Sequence, residues 1–409
     1  MGCVRFPVRV RVPRQKHRLK GGVFVVLFIL LKTRDCFNHL IKLLFCDRNA
    51  IAPLQSFWKG VKMARIERIV THKNPHLDEI VALWLLRRFG ERVFLGASRA
   101  PLWTIEITHN LPEKENELLI GVGGGRFDDH YKNGKRKKGE CAATLVADAL
   151  SIRDDPALSL ILEETRKADT NRVSSMFHLA NLVKVWHRTH PENYQEIIDL
   201  VFRFLESVYI EQQSFFFETK QEIEKNGKLE EIRGGQGKIV LAVVVSENSQ
   251  VSAAARKFFG AGVIIQKNPQ TGHVQIFTNH KDHIRLNDVA RVINIREQEL
   301  DEGVRITDWN LLEQEGQIPD GRWYYLKKGE MLLNGGPNAR NVPPTRIPLE
   351  EIVRLVKMAL DPKCFETTRA LLCSEGVCSS TPENPCPWYK FGLTRCRKIR
   401  FRESQLKQR

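Results

Sequence analysis

Apolar and polar positions follow a regular pattern from residue 66 onward. Residues 66–70 (IERIV) form a short apolar run that predicts a strand, and residues 79–90 (EIVALWLLRRFG) place apolar side chains at helical spacing before a glycine stop. Residues 117–125 (ELLIGVGGG) predict a second strand that ends in a glycine turn. Helices are predicted at 139–150, 157–168 and 177–187. This alternation predicts an α/β domain over residues 63–191 with a mostly parallel sheet.

The remainder of the chain divides into three further regions. Residues 192–231 are charged and helix-compatible, so they predict a helical connector. Residues 232–360 begin with the buried-strand pattern KIVLAVVV (238–245) and mix strands with helices, which predicts a smaller α+β lobe. Residues 361–409 form a basic tail with five of the nine cysteines, which predicts a metal-binding segment.

The first 62 residues differ from the rest. They are strongly basic, and their apolar run at 23–31 is too short to cross a bilayer, which takes about 20 residues. Residue 63 is a methionine, and we expect it to be the natural start, with residues 1–62 a mis-annotated or disordered extension. No stable membrane insertion and a cytoplasmic location are therefore expected.

The positive charge lies at the two ends of the chain. The formal net charge is +16; residues 1–62 hold 13 Lys/Arg against 2 Asp/Glu, and residues 361–409 hold 10 against 5, which leaves the central part neutral. A protein held on nucleic acid mainly by phosphate contacts needs a positive field. Any such attraction must come here from a local groove or from the tail.

The stretch THKNPHLDE (71–79) concentrates groups that bind metals. It follows a predicted strand and opens a helix, and ligands bind at the carboxyl ends of strands in open α/β sheets. His72, His76 and Asp78 suit Mn²⁺, Fe²⁺ or Zn²⁺. The alternative is that Asp78 is a helix N-cap and the histidines are surface residues. Further donors recur after later elements, and they strengthen the metal-site prediction: Asp128, Asp129 and His130 in RFDDH, and Asp169 in ADTN.

Other stretches carry groups that bind phosphate. The turn GVGGG contains Gly123 and Gly124, whose backbone amides can point at a phosphate, although a tight turn explains the same glycines. In the second lobe the candidates for substrate binding are His283, Arg285, Gly335, Gly336 and Arg340, and a solvated polar loop is the alternative for the first two.

Four tail cysteines are close enough in sequence to hold Zn²⁺ or an iron–sulfur cluster. They are Cys373, Cys378, Cys386 and Cys396, and their spacing matches neither a zinc ribbon nor a ferredoxin, so a reduced tail is the alternative. Basic residues and aromatics around them suit single-stranded nucleic acid, and a solvated basic terminus is the competing interpretation.

Taken in order, THKNPHLDEIVALWLLRR, GVGGGRFDDH and ADTN resemble the motifs of the DHH phosphoesterase superfamily, closest to the Myg-type (melanocyte-proliferating-gene protein) family. The resemblance implies a Mn²⁺-dependent phosphoesterase. It implies that His72 and His76 hold one ion, that Asp78, Asp129 and Asp169 hold a second, and that His130 faces the substrate phosphate. Gly121 departs from the pattern, because the family has an ion-bridging aspartate there, and Asp129 replaces a histidine. Asp128 is the substitute bridge that we would test first.

These observations predict a phosphodiesterase or 3′–5′ exonuclease that acts on single-stranded nucleic acid or short oligonucleotides, with His130 and Asp128 as catalytic residues. A phosphorylated small molecule is the other substrate class. The alternative function is a catalytically degenerate nucleic-acid or nucleotide-binding protein, as Gly121 suggests. The sequence leaves a homodimer open.

Overall fold

The structure is a computed structural model. It describes residues 64–170, 173–234, 237–301, 308–317, 322–336, 341–360 and 367–407. The predicted extension 1–62 and the candidate substrate ligand Arg340 lie outside the described residues. Within the described part no helix is both long and apolar enough to cross a membrane.

The first region is built on a three-stranded, all-parallel sheet in the order β2-β1-β3, so the prediction of an α/β region with a parallel sheet is confirmed. Its strands are β1 (Arg68–His72), β2 (Leu102–Ile105) and β3 (Glu117–Leu119). Strand β1 is central and its last four residues are buried. In register, Thr71 lies opposite Thr104 and Val70 opposite Leu119. The carboxyl ends of all three strands therefore meet at one edge.

Helices cover this sheet and complete the first core. Helix α1 (Leu77–Phe89) is buried at every position from Leu77 to Leu86, because nearly all of these side chains are apolar and pack on both sides. The other helices of this core are α2 (Ala142–Ala149), α3 (Ser159–Asp169), α4 (Leu179–Thr189) and α5 (Tyr194–Gln213).

The predicted connector is helical to Asn226. Helix α5 continues through a π-helical segment (Ser214–Thr219) into α6 (Lys220–Asn226), and Lys228 then begins β4, so the last residues of the predicted connector are strand. Helix α5 packs in the first core, whereas Ile223 of α6 packs in a core of the second region. This helical run thus links the two regions.

The second region is a seven-stranded mixed sheet in the order β4-β5-β6-β7-β10-β9-β8. Only the β5–β6 pair is parallel. The elements are β4 (Lys228–Gly234), β5 (Gly237–Val245), α7 (Val251–Phe259), β6 (Ala261–Lys267), β7 (Val274–Thr278), α8 (Asn287–Glu299), α9 (Trp309–Leu312), β8 (Gly316–Gln317), β9 (Tyr324–Leu326), β10 (Met331–Leu333) and α10 (Leu349–Leu360). The mixture agrees with the predicted α+β lobe.

The tail docks on the second region. It contains α11 (Thr367–Ser374) and α12 (Thr394–Lys407), and Phe391 and Leu393 between them are buried in the second core. Arg291 of α8 is fully buried and donates to the Gly392 carbonyl at 2.7 Å. The Thr394 hydroxyl donates to Asp288 at 2.7 Å. The tail is therefore held by buried polar contacts as well as by apolar packing.

Candidate metal centre

His72 ends β1, and its ring orientation is fixed by one contact on each ring nitrogen. Its Nδ1 contacts the backbone carbonyl of Lys73, which can only accept, so Nδ1 carries the proton. Its Nε2 lies 3.0 Å from Glu79 Oε1. A histidine ligand whose other ring nitrogen donates to a carbonyl is the usual arrangement in metal sites. His72 is therefore oriented to present Nε2 to an ion.

Glu79 is positioned by the start of α1. Its Oε2 accepts the His76 backbone N–H at 2.6 Å, which caps the helix and fixes the carboxylate in the first turn. His72, His76 and Glu79 place one ligand atom each within 4.8 Å of the others. Two nitrogens and one carboxylate oxygen suit a borderline divalent ion such as Mn²⁺, Fe²⁺ or Zn²⁺.

Burial and neighbouring charges both act on the pKa values of this set. Burial acts to lower the pKa of His72, but the hydrogen bond and the charge of Glu79 outweigh it and the pKa is raised. Burial likewise acts to raise the pKa of Glu79, and the contacts with His72 reverse the effect, so the Glu79 pKa is lowered. The His76 pKa is lowered, mainly by burial. The ion-free set is thus held by a buried imidazolium–carboxylate pair.

A second set forms after β2 and β3. His109, Asp128 and His130 also place ligand atoms within 4.8 Å of one another. Asp128 accepts the Gly124 N–H at 2.7 Å and the His130 N–H at 2.9 Å, which locks the loop. Among the described residues the buried Nδ1 atom of His109 has no hydrogen-bond partner, as expected of a nitrogen that a bound ion would satisfy. The charge of Asp128 contributes to the raised pKa of His72, so the two sets are neighbours.

Asp78 is close to these sets but belongs to neither. It is 5% exposed, and its Oδ2 accepts the Ala142 N–H at 3.2 Å, at the start of α2. Burial raises its pKa well above the usual value, and the charges of Glu79 and Asp129 add to this. The part that the resemblance assigns to Asp78 in a second ion site stays a prediction.

Asp129 and Asp169 converge, and an arginine lies between them. Arg136 Nε lies 3.0 Å from Asp129 Oδ2, and Arg136 Nη2 pairs with the Asp169 carboxylate. Asp129 Oδ1 also lies 3.0 Å from His130 Nδ1. The convergence of the two carboxylates is the one that the resemblance implies, but a guanidinium fills the space between them.

Gly121 stands where the motifs that the sequence resembles carry an aspartate, and Glu79 lies against it. Its φ is +64°, and a Cβ atom built there would lie 2.5 Å from Glu79 Cγ and 2.9 Å from Glu79 Cδ. The Glu79 carboxylate therefore fills the space that a side chain at position 121 would enter. The part of Asp128 as a substitute bridge stays a prediction, and Glu79 is the carboxylate that lies in this space.

Sequence reasoning missed Glu79 and His109 as donors. Glu79 ends the THKNPHLDE stretch, and its position in the first helical turn predicts a capping role. The structure shows that its carboxylate also contacts His72 Nε2. His109 follows β2, a strand that the pattern did not reveal. The signal that could have found His109 is its place after the carboxyl end of a parallel strand.

The glycine turn is packed rather than open. Gly123 and Gly124 have φ of +83° and +66°, and a Cβ on Gly124 would lie 2.5 Å from Lys132 N. The Gly124 N–H is already used by Asp128. These contacts explain the glycines by conformation and close approach, and their predicted role in phosphate binding stays a prediction.

The candidate substrate residues of the second region make contacts within that region. Arg285 Nη1 lies 2.9 Å from Glu330 Oε1. His283 adopts the left-handed backbone conformation after a short 3₁₀ turn. Gly335 has φ of +69° and packs against the ring of His273. The Gln275 side-chain amide donates to the Gly335 carbonyl, next to Gly336, at 3.4 Å. Their part in binding substrate stays a prediction.

The tail thiols are near one another without forming a compact group. The pKa of Cys373 is raised by burial and then by Cys386 and Cys378, and the pKa of Cys396 is raised by burial and further by Cys373 and Cys386. Among the described residues, the sets with ligand atoms within 4.8 Å are the two histidine–carboxylate sets, and the cysteines are not among them. Zinc or iron–sulfur binding by the tail stays a prediction.

Comparison with known proteins adds little to this geometry. No protein family profile matches the sequence, and no curated protein matches it. One similar solved structure is PggH, a pGpG-specific phosphodiesterase from Vibrio cholerae, with 13% identity, a TM-score of 0.25, and coverage of 57% of this chain and 88% of that chain. A likeness of this size carries no argument about the function of this chain.

Proposed function

We propose that the chain is a divalent-metal-dependent phosphoesterase that cleaves phosphodiesters in single-stranded nucleic acid or short oligonucleotides. The observation that carries the proposal is the His72–Glu79 arrangement, in which a ring fixed by the Lys73 carbonyl presents Nε2 beside a buried carboxylate. The neighbouring set with the unpartnered His109 nitrogen supports it. The resemblance of the motifs to DHH phosphoesterases supplies the reaction class.

The donor set fits such an ion. His72, His76 and Glu79 would hold it, and His109, Asp128 and His130 offer a second position beside it. A bound divalent ion lowers the pKa of a coordinated water and neutralises a phosphoryl oxygen. His130 is one-third exposed and held by Asp129, so its ring can contact a substrate phosphate from the solvent side. Asp128 fixes the loop that carries His130.

The test is hydrolysis of a chromogenic phosphodiester and of labelled single-stranded RNA and DNA, with and without Mn²⁺. We expect Glu79→Gln to lower kcat/KM about 100-fold or more, because losing a ligand should cost at least as much as losing an outer partner of a ligand, which costs about 10–100-fold. Glu106→Gln is the matched control, because Glu106 is an exposed carboxylate that contacts Lys73 beside the same loop. Full activity in Glu79→Gln would refute the assigned site.

The second candidate is a degenerate nucleic-acid-binding protein, and Gly121 favours it because the bridging carboxylate of the family is missing. It predicts tight binding of a labelled single strand with no turnover of any phosphodiester at any Mn²⁺ concentration. Retained strand binding in Glu79→Gln would then be expected, because affinity would not depend on the metal ligands. Turnover in the wild-type chain that Glu79→Gln abolishes would exclude this candidate.

A further inference from the structure

A basic hairpin brings Arg136 back to the candidate metal centre. The hairpin covers residues 131–138, directly after His130. The Tyr131 N–H donates to the Lys135 carbonyl at 2.8 Å, and the Lys137 N–H donates to the Asp129 carbonyl at 2.6 Å. His130 and Arg136 face each other across an antiparallel bridge. The hairpin therefore fixes the position of the Arg136 backbone relative to the donor residues.

The guanidinium sits among three oxygen atoms. Arg136 Nε lies 3.0 Å from Asp129 Oδ2, while Nη2 pairs with Asp169 Oδ2 and lies 3.2 Å from the Asp169 carbonyl. Asp169 is the last residue of α3, where the helix dipole is negative and a cation is favoured. Two carboxylates and a carbonyl at a helix C-terminus make a position that requires positive charge.

Arginine fills this position permanently. Its guanidinium stays charged at any physiological pH, and its planar array of N–H groups matches carboxylate oxygens. The Asp129 and Asp169 side chains are largely buried, so removing the guanidinium would leave the Asp169 carboxylate uncompensated and Asp129 with His130 as its remaining side-chain partner. Among the described residues, the contacts of Arg136 use Nε and Nη2, and the side chain is 40% exposed. Its Nη1 hydrogens remain for a ligand.

We propose that Arg136, held by Asp129 and Asp169, takes the place of a metal ion at the Asp129–Asp169 position and supplies a fixed positive charge that binds the substrate phosphate. This inference rests on the proposed function for the identity of the ligand. Its first part, the exclusion of an ion from the Asp129–Asp169 position, does not depend on turnover. Oxygen ligands of this type otherwise suit Mn²⁺ or Mg²⁺, which is why the occupant matters.

The first measurement counts bound Mn²⁺ by titration and metal analysis. Arg136→Gln is expected to bind one more ion per chain than the wild type, and Arg136→Gln combined with Asp169→Asn is expected to lose that ion again. Lys135→Gln is the matched control, because Lys135 is an exposed cation on the same hairpin. Asp169→Asn alone is expected to leave the wild-type ion count unchanged. A wild-type ion that Asp169→Asn removes would overturn the proposal, and this arm remains decisive if Arg136→Gln does not fold.

The second measurement is the affinity of the Mn²⁺-loaded chain for inorganic phosphate, by calorimetry at an Mn²⁺ level that leaves the additional site empty. Arg136→Gln is expected to weaken phosphate binding about tenfold or more, since charge-assisted hydrogen bonds to phosphate are strong. Arg136→Lys should restore part of the affinity, and Lys135→Gln should retain it. Unchanged phosphate affinity in Arg136→Gln would overturn the second part. Failure of all variants, wild type included, to hydrolyse any phosphodiester would refute the proposed function while both binding results still stand.

Discussion

An aspartate in place of Gly121 should destabilise the ion-free chain. A side chain at Gly121 would enter the space that the Glu79 carboxylate occupies, with a built Cβ 2.5 Å from Glu79 Cγ. Glu79 would then have to leave its hydrogen bonds with His72 Nε2 and the His76 N–H. Gly121→Asp is therefore expected to lower the free energy of unfolding, although the motifs that the sequence resembles carry an aspartate at this position.

The magnitude follows from two contributions. Holding Asp at φ +64° costs about 1 kcal/mol. Losing two hydrogen bonds to a charged group costs about 1.5–3 kcal/mol each. The expected loss in the free energy of unfolding is therefore about 4–7 kcal/mol, a large part of the stability of an ordinary domain. In a chain that already carries Glu79→Ala those hydrogen bonds are absent, so adding Gly121→Asp should cost only the backbone contribution, about 1 kcal/mol.

Urea unfolding in the presence of a chelator measures all four members of this double-mutant cycle. Gly134→Asp is the matched control, because Gly134 has φ of +74° and open space where its Cβ would lie, so it reports the backbone cost alone. A Gly121→Asp chain no less stable than Gly134→Asp would refute the placement of Glu79. So would a cycle in which the Glu79→Ala background does not relieve the cost of Gly121→Asp.

Two further predictions concern groups beside the centre. In chelator, Asp78→Asn should gain stability relative to the wild type as pH rises above 3.8, the ordinary pKa of an aspartate. The pKa of Asp78 is raised by burial and by Glu79, so the stabilising contribution of its protonated form is complete below pH 3.8 and is lost as pH rises through the raised pKa. Urea unfolding from pH 4.5 to 8 checks this, and a stability difference independent of pH would contradict it. His187→Phe should lower the free energy of unfolding in urea by about 1–3 kcal/mol, because His187 Nε2 donates to the Pro75 carbonyl at 2.9 Å and Phe leaves that buried acceptor unpaired. The control is His190→Phe, at an exposed position. Equal losses in the two variants would contradict the role of this hydrogen bond.

The strongest sequence signals became the central elements of the fold. Helix α1 was predictable because apolar residues occupy almost every position from Ile80 to Leu86, and the apolar run before it is the buried centre of the sheet. Strand β2 was not predictable, because LWTI is only four residues long and its Trp103 is exposed. A short edge strand with mixed burial has no clear period.

The residues of the candidate site also differ in how far the sequence could predict them. His72 and His76 are four residues apart at one strand–helix junction, so their proximity is local and could be predicted. His109 becomes a neighbour only because β2 pairs in parallel with β1, with Ile105 opposite His72, and this long-range pairing has no signature in the sequence. Arg136 stands in the run KRKK, where a solvated charged surface is the ordinary expectation.

In the ion-free chain three of the carboxylates at the centre have different internal partners. Glu79 has the His72 imidazole, Asp129 has Arg136, and Asp78 has the N-terminus of α2 together with a raised pKa. A divalent ion held by His72 and Glu79 would replace the proton of the imidazole, because a ligand nitrogen must be deprotonated. The guanidinium cannot be replaced in this way, since it does not lose a proton. A metal ion can therefore replace the proton of the His72–Glu79 pair, whereas it cannot replace the guanidinium of the Asp129–Arg136–Asp169 group. This asymmetry is the physical reason to expect ions on one side of the centre and a fixed cation on the other.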